Sequence, residues 1–213
     1  MTVIDRLDAV RARLDVLRHP FYQRWSAGSL ERSELAFYAG EYRHAVVALA
    51  EATARAAEAA EPELRAELAT HAAEEAAHVS VWDEFGSAVG AATDRPPLPE
   101  TSACAEAWTS GNGLLERLAV LYAVEASQPA ISQTKLDGLV EHYGMDEGPA
   151  TAYFALHAKR DHGHAAESRA LLEERASDPD ADRLVELAEA ALEGNWRLLD
   201  GVEERFGRSG DAG

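Results

Sequence analysis

The sequence predicts an all-α protein, a bundle of about seven helices. Ala, Leu, Glu and Arg dominate the 213 residues, whereas runs of β-branched residues are scarce. These dominant residues have high helix propensity. Apolar side chains recur at spacings of three and four over most of the chain, as on one face of a helix. Proline and glycine are concentrated in a few short stretches, which are the expected loops between helices.

Proline and glycine separate the helices expected in the first half of the chain. A first helix over about 3–18 ends at the His19-Pro20 step, because a residue that precedes proline disfavours helical geometry. After a short aromatic stretch, a long helix follows Gly28-Ser29 and ends near residue 60. Pro62 suits the first turn of the next helix, which runs to about residue 89.

The middle of the chain contains a loop, a short helix and a long helix. The proline-rich stretch 96–99 is the clearest loop, and a short helix over about 102–109 follows it. Two glycines in 111–113 precede a long helix that holds Glu125. Pro129 should kink this helix, because proline lacks the backbone N–H that a helix interior needs. The kink leaves backbone carbonyls near Glu125 without their usual partners.

Two further helices complete the chain. They follow turns at 144–149 and 177–180, and the second of them ends near Gly207. Residues 1–207 are therefore predicted to form a single helical-bundle domain. The polar, glycine-containing residues 208–213 should form a disordered tail.

The composition excludes several classes of protein. Thirty-eight acidic residues against 20 Lys and Arg give a formal net charge of -18, which opposes binding to nucleic acid. Cys104 is the only cysteine, so no intrachain disulfide is possible and a reducing compartment is indicated. No segment has the roughly 18 uninterrupted apolar residues of a spanning helix, and Asp5 and Asp8 interrupt any signal peptide. We expect a soluble cytoplasmic protein with no nucleic-acid or membrane partner.

His157, Asp161 and His164 are the most informative residues of the chain. Their spacings of three, four and seven place two imidazoles and a carboxylate on one face of a helix. Imidazole and carboxylate are ligand types that iron accepts. The third histidine of the same region, His162, points elsewhere on the helix.

The helix near residues 62–89 carries a second candidate group. Its inward stripe changes from apolar residues to His71, Glu75 and His78, and then back to aromatic residues. Burying such groups unpaired costs several kcal/mol, so they need partners or a metal. Glu75 and His78 have the i, i+3 spacing of carboxylate-bridged di-iron bundles. Glu74 is the alternative carboxylate, and His71 either binds metal or orients a ligand.

Glu125 adds a third helix to this constellation. Leu118, Leu121 and Tyr122 mark the inward face of its helix, on which Glu125 also lies. A single Glu-x-x-His pair in an Ala- and Glu-rich helix is more often a solvated surface pair. Three helices together offer three His and three carboxylates, enough for two metal ions with open positions. This set indicates oxygen chemistry at a non-heme di-iron centre.

The chain resembles a known superfamily. The stretch from His19-Pro20-Phe21-Tyr22 to Trp25, followed by Phe37-Tyr38 and Glu41-Tyr42, is similar to the start of TenA/PqqC proteins, which have a heme-oxygenase-like fold. The Glu…His, Glu and His-x-x-x-Asp-x-x-His pattern resembles the heme-oxygenase-like di-iron oxidases. Within these oxidases the chain resembles the branch of the Chlamydia protein associating with death domains and its relatives, which make para-aminobenzoate for folate. The resemblance extends over about residues 15–205.

The resemblance implies two iron ions, or iron and manganese, with O2 as co-substrate, and a homodimer. It implies six metal ligands: Glu75, His78, Glu125, His157, Asp161 and His164. In the para-aminobenzoate branch, Tyr22 matches a tyrosine consumed as the source of the aromatic ring, and Lys135 matches a lysine that donates the amino group. The simpler role for Lys135 is to pair with an acidic neighbour.

Two departures from the branch weaken parts of this assignment. The segment between carboxylate and His in the helix near 62–89 is shorter by about one turn, which leaves the choice between Glu75 and Glu74 open. Val124 stands where the branch has an aromatic residue. The substrate therefore remains open between a small amine, a fatty acid and the protein's own Tyr22.

Three other functions compete with the oxidase. A TenA-like hydrolase would use a cysteine nucleophile, but Cys104 lies on the short helix away from the metal-ligand helices. A PqqC-like cofactor-independent oxidase would need a basic pocket for a polyanionic substrate, which a net charge of -18 disfavours. A non-catalytic binding protein is the third alternative. Metal content separates the oxidase from all three.

Overall fold

The computed structural model describes residues 1–207, except for the side chains of Arg160, Asp161, His162 and Asp178. Within these residues the chain is helical and contains no strand, which confirms the all-α prediction. The α-helices are α1 (Val3–Arg13), α2 (Pro20–Ser26), α3 (Arg32–Ala59), α4 (Pro62–Val89), α5 (Pro99–Trp108), α6 (Leu114–Glu125), α7 (Gln128–His142), α8 (Pro149–Arg175) and α9 (Asp178–Arg205). The predicted tail at 208–213 lies outside the described residues.

The first helix ends earlier than the sequence predicts. α1 stops at Arg13, and Val16–Arg18 forms a separate 3-10 turn. The Asp15 carboxylate accepts a hydrogen bond from the backbone N–H of Leu17 at 3.0 Å and so caps the new turn. Apolar residues continue at helical spacing across this break, which is why the pattern reads as one helix.

The aromatic stretch that follows is itself a short helix, α2. The Nδ1 atom of His19 accepts a hydrogen bond from the backbone N–H of Phe21 at 3.1 Å and caps the helix. Pro20 occupies the first turn, where its missing N–H costs nothing. The helix buries Tyr22 and Trp25, so the ring of Tyr22 lies inside the bundle.

Pro129 breaks its helix completely instead of kinking it. α6 ends at Glu125, and α7 begins two residues after Ala126, with Pro129 in its first turn. A proline ring clashes with the carbonyl of the residue four positions earlier, which here is Glu125. The break therefore fixes Glu125 as the last residue of α6, where its side chain is 1 % exposed.

A polar layer divides the interior into two apolar clusters. One cluster is rich in aromatic rings and includes Trp82 of α4 and Phe154 of α8, and the other is mostly aliphatic and includes Leu68 of α4 and Leu172 of α8. The inward stripe of each of these helices therefore passes from one cluster to the other through polar residues. α4 and α6 both pack against α8, so three helices meet at this layer. None of the helices in residues 1–207 contains an apolar stretch that would span a membrane.

Candidate metal centre

Helix α4 supplies three buried polar side chains to the layer between the clusters. His71, Glu75 and His78 are 5 %, 2 % and 4 % exposed, which places all three on the inward face that their spacing predicts. The Glu74 side chain is 36 % exposed, because one residue along a helix turns the side chain by about 100°. The structure therefore brings Glu75, and not Glu74, into the layer.

Four side chains from α4, α6 and α8 converge in the first of two groups. The group consists of His71, Glu75, Glu125 and His164, and it contains one potential ligand atom from each, all within 4.8 Å of one another. The Nε2 atom of His71 lies 2.9 Å from Oε1 of Glu125. The Nδ1 atom of His164 lies 3.8 Å from Oε1 of Glu75.

The second group shares Glu75 with the first. It consists of Glu75, His78 and His157, again with ligand atoms within 4.8 Å of one another. The Nδ1 atom of His78 lies 3.0 Å from Oε1 of Glu75, and Nε2 of His157 lies 4.0 Å from Oε2. The two groups therefore share one carboxylate, which is a feature of carboxylate-bridged bundles.

Most of the atoms that face these groups have no hydrogen-bond partner. The buried atoms without one are Nε2 of His71, Nδ1 of His78, both carboxylate oxygens of Glu125, Nε2 of His157 and Nδ1 of His164. Two of them, Nε2 of His71 and Nδ1 of His78, lie at ion-pair distance from Glu125 and Glu75. A buried polar atom without a hydrogen bond costs about 1–3 kcal/mol, so proteins rarely bury several together. Bound cations would satisfy all of them at once. The donor set of imidazoles and carboxylates therefore fits a pair of iron or manganese ions.

In His157 and His164, the ring nitrogen that points away from the two groups contacts another part of the protein. Nδ1 of His157 bonds to the backbone carbonyl of Tyr153 at 2.7 Å, and the Tyr153 ring stacks on the imidazole at 3.9 Å. Nε2 of His164 contacts the carboxylate of Glu74 at 3.2 Å. Such contacts fix the orientation and tautomer of a ligating histidine. Glu74 thus orients His164, a role that the sequence pattern did not reveal.

Burial and pairing act in opposite directions on the carboxylates. Burial opposes ionisation of Glu75, but its contacts with His157 and His78 outweigh burial and hold the pKa of Glu75 well below its usual value. At Glu125 burial dominates and raises the pKa, although His71 partly offsets it. Glu75 is therefore ionised at neutral pH and ready to bind a cation.

Five of the six predicted ligands meet in the two groups, and their role as ligands stays a prediction. The sixth, Asp161, has its side chain outside the part of the chain that the structure describes. His71, whose role the sequence left open, lies in the first group.

Tyr22 and Lys135 are 113 positions apart in the chain and meet in the aromatic cluster. Both side chains are 1 % exposed, and Nζ of Lys135 lies 5.3 Å from the centre of the Tyr22 ring. The rings of Tyr38 and Tyr42 also face Nζ, at 5.4 Å and 4.4 Å. No carboxylate of the described side chains lies within 4.0 Å of this amine. Burial lowers the pKa of Lys135 from 10.5 to about 7.

Cys104 is unsuited to act as a nucleophile. Its thiol is fully buried, and burial raises the pKa of Cys104 well above the usual value. Because the thiolate is the reactive form, this thiol is inert at neutral pH. The site geometry therefore gives no support to a hydrolase with a cysteine nucleophile.

The chain is similar to known iron enzymes over most of its length. A family described as iron-containing redox enzymes matches residues 36–199. A protein of Chlamydia muridarum named 4-aminobenzoate synthase is 30% identical, with 96% of this chain and 91% of that protein covered. A Nitrosomonas europaea protein of the same name is 28% identical, with 96% and 92% covered.

Solved structures share the fold. A Shewanella denitrificans domain with a heme-oxygenase-like fold has a TM-score of 0.76 and 22% identity, with 96% of this chain and 90% of that chain covered. A TenA homologue from Pseudomonas syringae pv. tomato has a TM-score of 0.81 and 18% identity, with 95% and 91% covered. These similarities confirm the heme-oxygenase-like fold that the sequence predicts.

Proposed function

The chain belongs to the family of iron-containing redox enzymes, and we propose that it is an O2-dependent two-metal oxidase that forms 4-aminobenzoate from its own Tyr22. The metals would be two irons, or one iron and one manganese. Lys135 would supply the amino nitrogen through oxidative cleavage of its Cε–Nζ bond. The phenol oxygen of Tyr22 would leave as water, and oxidative cleavage of the Cα–Cβ bond of Tyr22 would release the ring with Cβ as the carboxyl carbon, O2 being the oxidant. The relatives named 4-aminobenzoate synthase support this choice of product, because they match nearly the whole chain.

The metal-binding part of the proposal is supported by the shared carboxylate and the unpaired donor atoms. Glu75 would bridge the two ions, and Glu125, His78, His157 and His164 would complete their ligands with Asp161. The ions would supply the oxidising power of O2 for removing electrons from a tyrosine. Tyr153 and Glu74 would keep the imidazole rings in place.

The meeting of Lys135 with buried tyrosine rings is the observation that carries the proposal. Tyr22, Tyr38 and Tyr42 all face the amine, and the resemblance to the para-aminobenzoate branch selects Tyr22 among them. A phenol ring and an amine that are both shielded from water lie 5.3 Å apart, measured from ring centre to Nζ. With a pKa of about 7, a large share of the amine is neutral at pH 7 and is therefore nucleophilic. Exclusion of water protects an oxidised ring from hydroxylation, because water would otherwise compete with the amine.

Two variants test the proposal directly. Purified Tyr22→Phe and Lys135→Arg, loaded with Fe(II), with or without Mn(II), and exposed to O2 and a reductant, should form no 4-aminobenzoate by mass spectrometry. The parent protein should form it without any added aromatic or amine substrate. The sequence offers a matched control, because Lys159 is the only other lysine. Lys159→Arg should therefore behave like the parent.

The outcomes separate the two parts of the proposal. Product from Tyr22→Phe or Lys135→Arg at the parental level would contradict self-consumption. A parent protein that binds two metals and consumes O2 without forming 4-aminobenzoate would leave an oxidase with an external substrate. A parent protein that binds no metal would overturn the oxidase itself.

A further inference from the structure

We propose that His71 is a metal ligand, the fourth histidine of the centre, and that it favours iron over manganese in the position formed with Glu75, Glu125 and His164. This inference rests on the proposed two-metal function. It adds a ligand to the six that the family pattern implies, among which only three are histidines.

The position of His71 matches that of a ligand. One of its ring nitrogens belongs to the group of four potential ligand atoms that lie within 4.8 Å of one another, and its Nε2 faces Glu125. Ligand atoms that surround one ion at about 2.0–2.2 Å are themselves roughly 3–4 Å apart. The 2.9 Å between His71 and Glu125 and the 3.8 Å between His164 and Glu75 agree with that spacing. The rings of His71 and His164 face each other, with centres 3.8 Å apart and planes inclined by 31°.

The hydrogen-bond geometry of His71 indicates whether it binds the metal itself or only orients Glu125. His157 and His164 form hydrogen bonds to Tyr153 and Glu74 through the ring nitrogens that point away from the groups. Nε2 of His71 forms no such bond, although an oxygen of Glu125 lies only 2.9 Å away. A histidine that served to orient Glu125 would direct its N–H along the line to the oxygen. The imidazole nitrogen and the carboxylate oxygen are thus in contact without an aligned N–H···O bond, and their spacing is that of two ligands of one ion.

The additional imidazole changes the balance between the two metal positions. Without His71, the first position has one imidazole and two carboxylates, whereas His78 and His157 give the second position two imidazoles. With His71, both positions have two imidazoles. Imidazole ligands suit iron, and carboxylate-rich sites suit manganese. His71 should therefore shift the first position towards iron.

The test is anaerobic loading with equal concentrations of Fe(II) and Mn(II), followed by measurement of both metals per chain. His71→Ala should lose about one ion per chain, because a missing ligand leaves the first position under-coordinated. His71→Glu should retain two ions and raise the share of manganese. His44→Ala is the matched control, since His44 belongs to neither group of potential ligands.

The experiment distinguishes failure of the His71 inference from failure of the proposed two-metal function. Two ions in the parent, with unchanged content and unchanged iron-to-manganese ratio in both His71 variants, would overturn this inference and leave the two-metal oxidase intact. A parent that binds no metal would overturn both. If His71→Ala does not fold, as judged by circular dichroism, the metal ratio of the folded His71→Glu variant decides the question: a raised share of manganese supports the inference and an unchanged ratio overturns it.

Discussion

The low pKa of Lys135 follows from its surroundings. Burial among aromatic rings lowers the pKa of Lys135 from 10.5 to about 7, and the faces of Tyr22, Tyr38 and Tyr42 surround its amine. The pKa values of Tyr22 and Tyr38 are raised well above the usual value, chiefly by burial, so these phenols stay neutral at any pH of interest. The amine therefore lies in an environment that makes it nucleophilic, and this environment destabilises the folded protein.

Lys135→Met should stabilise the protein at neutral pH while abolishing formation of 4-aminobenzoate. In the parent, the unfolded chain binds a proton at Lys135 between pH 7 and 10.5 and the folded chain does not, so the free energy of unfolding rises with pH across this range. Cation–π attraction from the surrounding rings offsets part of this cost, so we expect a gain of about 2 kcal/mol at pH 7.

Denaturant titrations of parent and variant at about pH 7 and about pH 9.5 measure this effect. The difference in the free energy of unfolding should shrink by more than half at the higher pH. A difference that does not depend on pH would show that Lys135 is charged in the folded protein.

At the scale of the element, two adjacent glutamates of α4 lie in different surroundings. Glu75 faces the interior and belongs to both groups of potential ligands, whereas Glu74 contacts His164 from the outside. Glu75→Gln should therefore abolish binding of both ions. Glu74→Gln should weaken only the position that contains His164, by roughly 10–100-fold.

Metal titrations monitored by absorbance, with metal analysis of the desalted protein, distinguish the two variants. Because the two residues are adjacent and the substitution is the same, each variant is the control for the other. Equal loss of metal in both would mean that the faces of α4 are not divided as the structure indicates.

The sequence predicts the helices better than it predicts the contacts between their side chains. The stripe on α4 and the face of α8 are predictable because a helix repeats every 3.6 residues, and buried polar groups interrupt an apolar pattern visibly. Periodicity gives the direction of a side chain but not the hydrogen bonds it makes, so the role of His71 stayed open. The break at Pro129 was predicted as a kink, because the sequence does not show whether the following residues start a new helix.

At the scale of the whole molecule, the bundle holds two chemical environments close together. The polar layer of α4, α6 and α8 lies between an aliphatic and an aromatic cluster, and Tyr22 and Lys135 lie in the aromatic one. No local pattern connects α2 with α7, so only the resemblance to known enzymes pointed to this pair before the structure placed it together. The central claim is that these two side chains are the substrates.

Isotopic labelling of lysine tests that claim most directly. Protein produced with 15N in its lysine side chains, loaded with Fe(II), with or without Mn(II), and exposed to O2 and a reductant without added amine, should release 4-aminobenzoate that carries 15N. The yield should reach at most one molecule per chain, because each chain has a single Tyr22 and a single Lys135. Unlabelled 4-aminobenzoate, or a yield of many molecules per chain, would contradict the account.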